Sequence, residues 1–214
     1  MDLNTVISEK DNTVYLKPLD ETDCRSVLIN TYLTRNLITA CNNTSCPMKE
    51  ISLARCISTG SVFASKMIID SYPDEYDVHG GCFTGPKGLL LSQALADKSK
   101  SDIYCTVMIK CHDIQKMNPD IVNNCMYSYF LKELEIVHPK TIIITYSAYT
   151  ACAKYNLIEI NPKQQFSYFN KVKINISKVN LSNVDMIVIY DFNQVINGDE
   201  HTKNSFIQGL QSIL

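Results

Sequence analysis

The residues best suited to chemistry in this 214-residue chain fall into two groups, a run of glycines and a set of cysteines. Gly80, Gly81, Gly85 and Gly88 place four of the seven glycines in the stretch GGCFTGPKG, just ahead of a leucine run. Glycine tolerates φ > 0 and lets backbone approach a ligand closely. The concentration predicts a tight turn where the chain passes close to a bound group. Nine cysteines are many for a chain that opens MDLNTVISEKD, with early acids and no apolar signal core. The odd count and the intracellular setting this predicts argue against a disulfide framework. Buried free thiols, a four-cysteine zinc site and an iron–sulfur cluster all stay open on spacing alone.

Those residues need a scaffold, and composition bounds it. Hydrophobic residues make up 45% and charged residues 20%, a balance that suits one globular domain over 1–214. No apolar run reaches the length of a transmembrane helix, so a cytoplasmic protein is expected. A net charge of −2 lacks the cationic surplus of most nucleic-acid binders, although a local basic face is compatible with it. Apolar spacing predicts helices over 22–39, 88–97, 120–137, 147–155 and 200–214, the first within an N-terminal helical extension over 1–40. Short apolar or β-branched runs predict strands at 66–70, 103–110, 141–145 and 184–190. Near-continuous apolar strands separated by helices imply a parallel sheet covered on both faces. Ligands of such sheets bind beyond the carboxyl ends of the strands.

The segment 156–183 fits this alternation least. Lys163, Lys171, Lys173 and Lys178 interleave there with Phe166, Tyr168 and Phe169. Such interleaving can stack bases and track phosphates, but a hairpin with a solvated face accounts for it more simply.

Four blocks in order, DSYPDEYDVHGGCFTGPKGLLL, IYCTVMIKC, HPKTIIIT and IVIYDFN, resemble the family 4 uracil-DNA glycosylases, the iron–sulfur branch of that superfamily. The likeness covers roughly 41–214. The family turn Gly-x-Pro-Phe-x-Gly-x-x-Gly-x-Leu-Leu matches the residues from Gly80 to Leu91, and Tyr-x-Thr-Asn-x-Val-Lys-Cys matches Tyr104 to Cys111. The resemblance implies a three-layer α/β/α sandwich around a central four-stranded parallel sheet. It also implies a 4Fe-4S cluster on Cys41, Cys46, Cys111 and Cys125, with zinc as the alternative. The first pair departs from the family in having four intervening residues rather than two. Cys24, Cys56, Cys82, Cys105 and Cys152 are then core or surface thiols.

A uracil glycosylase must extrude the nucleotide, read the base edge and stabilise a departing uracil anion. Of the four family groups that do this, the resemblance carries over only the stacking aromatic, as Phe83. Ser71 stands at the position of the loop carboxylate, with Asp70, Asp74 and Asp77 near enough in sequence to substitute. Val107 stands at the position of the base-reading Asn and offers no hydrogen bond. Losing such a partner removes on the order of 10⁴-fold discrimination. Asp191 stands at the position of the terminal His, where an ionised carboxylate repels a developing anion. His79, beside the turn, is the nearest histidine and is expected in an exposed loop. Gly80, Gly85 and Gly88, with Phe83 and Val107, form the expected base-binding surface.

The resemblance thus implies a retained scaffold without glycosylase chemistry. The expected function is binding of DNA, single-stranded or duplex, or service to a polymerase in a replication or transcription complex. The AT-rich flavour of the composition suits a viral origin and, with it, a host-cell location. Two alternatives belong to other classes: an active glycosylase of base-excision repair with rearranged catalytic groups, and a protein-interaction module whose acidic mouth (Asp70, Asp74, Glu75, Asp77) repels phosphates.

Overall fold

The computed structural model describes residues 6–7, 14–15, 46, 48, 55–96, 102–112, 119–158 and 167–214. Strands β1 (Val6–Ile7) and β2 (Val14–Tyr15) pair antiparallel. The predicted helix over 22–39 lies outside the described residues.

The sheet that organises the rest has six strands: β3 (Thr59–Gly60), β4 (Lys66–Asp70), β5 (Ile103–Val107), β6 (Thr141–Thr145), β7 (Lys171–Ile176) and β8 (Leu181–Ile189). Their spatial order is β3-β5-β4-β6-β8-β7. The central four, β5-β4-β6-β8, are parallel, as expected from their apolar runs. Antiparallel β3 and β7 extend this core at its two edges. Strand β7 falls in the segment that resisted assignment. Its exposed Lys171, Lys173 and Asn175 alternate with half-buried or buried Val172, Ile174 and Ile176, the pattern of a half-solvated edge strand.

Two helical layers cover the sheet, and the alternation of side chains along each strand assigns the layers. Met67, Ile69, Ile142, Ile144, Met186 and Val188 join one core. It is roofed by α3 (Pro119–Cys125), a π-helical segment (Met126–Phe130), α4 (Leu131–Val137) and α5 (Tyr146–Lys154). Ile68, Cys105, Val107, Ile143, Ile187 and Ile189 face the other way, toward α2 (Pro86–Leu95), α6 (Phe192–Ile196) and α7 (Glu200–Ile213). Each buried Ile contributes about 1.5–3 kcal/mol relative to exposure, so a one-residue slip in register would be strongly resisted. No helix among the described residues is long and apolar enough to cross a membrane.

Candidate functional site

The chain runs from β4 to β5 on one side and then crosses to β6 on the other side of β4. This reversal opens a crevice at the carboxyl end of β4, where doubly wound sheets place ligands. Asp70 closes β4 there, and its carboxylate is nearly fully engaged. Oδ1 accepts the Ser71 N–H at 2.8 Å and the Thr145 hydroxyl at 3.0 Å. Oδ2 pairs with Lys87 Nζ at 2.8 Å.

Lys87 has no exposed side-chain surface, and its three protons all have acceptors. Besides Asp70, Nζ donates to Asp77 Oδ2 at 3.2 Å and to the Tyr72 carbonyl at 3.2 Å, with Asp74 Oδ2 3.7 Å away. Burial alone would lower the lysine pKa, but the charges of Asp70, Asp77 and Asp74 outweigh it and hold the ammonium above the ordinary lysine range. Asp77 Oδ1 meanwhile accepts the Phe83 N–H at 2.7 Å. Three of the four acids of the expected mouth therefore gather around one buried ammonium, which anchors the glycine turn and offsets only part of their charge. Lys87 was not among the expected site residues. Its signal was available, since it is the single Lys or Arg between Lys66 and Lys98, facing four acids within eight positions.

The same anchoring explains what approaches the glycines. A Cβ on Gly88 would lie 2.0 Å from the Phe83 carbonyl oxygen, and one on Gly85 would lie 2.5 Å from Tyr76 Cβ. The close approach is internal. Gly80 ends a single helical turn, α1 (Asp77–Gly80), which also carries the exposed His79.

Across the crevice, Ser71, Ser147 and Asp191 connect the ends of β4, β6 and β8. Asp191 Oδ1 accepts the Ser147 hydroxyl at 2.6 Å and the Ser147 N–H at 3.0 Å. The Ser71 and Ser147 oxygens lie 3.1 Å apart. Ser147 has one hydroxyl proton and gives it to the carboxylate, so Ser71 supplies the proton between the serines. The N-cap of α5 is Thr145, whose hydroxyl is spent on Asp70. Asp191 takes over the capping and places its negative charge at the N-terminus of that helix, where the macrodipole favours it.

The structure thus brings Asp70, Ser71 and Asp191 together. Val107, fully buried, pairs in register with Asp70. Phe83 is turned away from the crevice. Its backbone sits at φ 63°, and its ring meets Phe192 edge-on at 5.0 Å. It lines a separate cavity of about 230 Å³ with Leu91, Leu95 and Cys105. A further cleft of about 420 Å³ lies between Tyr72–Tyr76 and α6, with His112 also in its lining.

A second buried ion pair lies behind β5. Lys110 Nζ donates to Glu133 Oε2 at 2.7 Å, Thr106 at 2.6 Å and Ser58 at 3.0 Å, and Tyr104 donates to Glu133 Oε1 at 3.0 Å. It ties β5 to α4.

Of the cysteines expected to hold a cluster, Cys46, Cys111 and Cys125 are buried in one core, and Cys41 lies outside the described residues. Cysteine thiolates are the donors that an iron–sulfur or zinc site requires. Among the described residues, no three Cys, His, Asp or Glu side chains gather closely enough to hold a metal ion. Cys56 and Cys82, outside the expected set, have their sulfurs 2.9 Å apart in the opposite core.

A comparison with curated proteins gives no match. The sequence profile of the uracil DNA glycosylase superfamily matches residues 57–195, a span that runs from just before β3 into α6 and includes the crevice residues. By that match over more than half of its length, and by the parallel sheet that carries the site, the chain belongs to the uracil-DNA glycosylase superfamily.

Proposed function

We propose that this chain binds nucleic acid on a glycosylase scaffold without excising a base, as an accessory factor to DNA replication or transcription. The observation that carries this reading is the commitment of Asp70 to Lys87, Thr145 and backbone. A general base needs a free lone pair facing water and a pKa near the working pH. Both Asp70 oxygens are already taken, Oδ2 by the buried ammonium and Oδ1 by the Thr145 hydroxyl and the Ser71 N–H. Val107 supplies no edge-reading group, and Asp191 adds negative charge where a leaving base would need a donor. The fold, in contrast, keeps its crevice and its cleft.

In this reading Cys41, Cys46, Cys111 and Cys125 hold a 4Fe-4S cluster, the family 4 arrangement, which serves as a staple between loops. Zinc is the alternative, and the visible spectrum of anaerobically purified protein separates them. The functional test is base release from uracil-containing single-stranded and duplex DNA, measured beside binding in the same preparation. Binding without release is expected. Release that Asp70→Ala or Asp191→Ala abolishes would show a rewired catalytic pocket and overturn the proposal.

A further inference from the structure

Three tyrosines stand together at the carboxyl edge of the sheet, beside the crevice network. Tyr146 follows β6 directly, Tyr190 follows β8, and Tyr168 precedes β7. The rings of Tyr168 and Tyr190 stack with centroids 3.8 Å apart and an interplanar angle of 25°. Tyr146 meets Tyr168 at 6.1 Å and 63°. Tyr146 remains 42% exposed and Tyr190 38%.

The ladder is built in advance by the backbone. The Phe169 N–H donates to the Val188 carbonyl at 2.9 Å, pinning the turn to β8. Phe169 adopts φ 60° and packs its ring against Phe206, 5.9 Å away, over the face of Gly209. Its neighbour Tyr168 joins the exposed ladder. Ordered, solvent-facing aromatic rings that already stack on one another need no rearrangement to receive another flat ring.

Charge around the ladder is split. Lys171 and Lys173, on the adjoining edge strand, share the single carboxylate of Asp185 at 3.1 and 2.7 Å, which leaves one net positive charge on an exposed face. Asp191 lies on the other side, close enough that burial, the neighbouring tyrosines and its charge together push the Tyr168 hydroxyl above its ordinary pKa. A phosphate is therefore favoured along β7 and disfavoured at the crevice, while a base is favoured over the rings.

We infer that the Tyr146–Tyr168–Tyr190 ladder is a stacking platform for unpaired bases, with the backbone of the strand running along Lys171 and Lys173, so that the ligand is single-stranded nucleic acid. This rests on the nucleic-acid reading above and narrows it. Bases paired in a duplex do not offer the open faces the ladder requires. Stacking on one aromatic side chain contributes about 1–3 kcal/mol per base.

The test uses oligothymidylate and a duplex of the same length with the full chain. Tyrosine fluorescence reports directly, because the chain has no tryptophan. Wild-type protein is expected to prefer the single strand, with quenching on binding. Tyr146→Leu and Tyr190→Leu each weaken it about tenfold, while Tyr146→Phe and Tyr190→Phe, which keep the π-face, stay near wild type. Thermal melts of all four variants verify folding. Equal single-strand affinity in the Leu variants, or a preference for duplex, overturns the ladder and leaves nucleic-acid binding standing. Binding to neither probe overturns both.

Discussion

Lys87 decides more of this site than any of the residues that first attract attention. An ammonium with no exposed surface is tolerated because three carboxylates and a carbonyl surround it. Removing one partner of such a group strands the others in a poor dielectric, at a cost of about 3–5 kcal/mol. Lys87→Met should therefore destabilise the protein by about that amount, read as a lowered urea midpoint with an unchanged slope. The folded-state pKa is raised above the ordinary lysine value of 10.5, so the contribution is complete below that pH and declines as pH rises beyond it. Wild-type stability should hold from neutrality to about pH 10 and then fall, and the Lys87→Met variant should lack that share of the alkaline loss. A midpoint difference that persists unchanged through the alkaline range would contradict the ion-pair account.

At the scale of the elements, Gly88 poses a test in which two effects oppose each other. It sits in the first turn of α2, where alanine is normally the better helix former by about 1 kcal/mol. A Cβ would nevertheless meet the Phe83 carbonyl oxygen at 2.0 Å. Backbone cannot step aside as a flexible side chain would, so Gly88→Ala should cost about 1–3 kcal/mol net; a gain in thermal midpoint would show that the turn relaxes freely. A smaller effect governs the entry to β4. Asp102 accepts the Ser65 N–H at 2.7 Å, the Ser65 hydroxyl at 2.7 Å and Lys66 at 3.0 Å, and the Ser65 bonds together with Lys66 lower its pKa to about 2. Its side chain is 45% exposed, so solvent screening holds the contribution below about 1 kcal/mol. That share is present above the ordinary aspartate value of 3.8 and is lost as pH falls toward 2. The melting difference between wild type and Asp102→Asn should close across that window.

These elements also show what a sequence can and cannot reveal. The four parallel strands are legible because each carries a short, mostly apolar run buried on both faces, such as Met67–Ile69 in β4 and Met186–Ile189 in β8. Edge strands β3 and β7 are not, the first being two residues long and the second alternating with lysines. The position of the glycine turn is equally legible, whereas its contact is not. Spacing announces that something comes close to the backbone, but whether that is a ligand, a tyrosine ring or a carbonyl depends on tertiary packing. Phe83 shows the same limit. Its place in the turn is readable, yet its left-handed backbone turns the ring toward Phe192.

For the molecule as a whole, the net charge of −2 means that attraction to a polyanion must be local. The edge lysines supply it, and Asp185 restrains them. Its carboxyl is held below the ordinary aspartate value by the hydrogen bonds from Lys173 and Lys171, against a small opposing effect of burial. It is thus ionised at neutral pH and cancels about one of the two cations. Single strands release roughly 0.7 counterions per phosphate neutralised. Wild-type binding through one or two net contacts should therefore show a log–log salt slope of roughly −0.7 to −1.4. Asp185→Asn removes one negative charge and so frees the second lysine without adding a cation. It should steepen the slope by about 0.7 and raise affinity several-fold at low salt, with the gain fading as salt approaches the molar range. Lys171→Ala should shift the slope the other way by a similar amount. These shifts are independent of tyrosine stacking, which salt hardly touches. A slope unmoved by both substitutions would place the phosphate track away from β7, even if the tyrosines still bind bases.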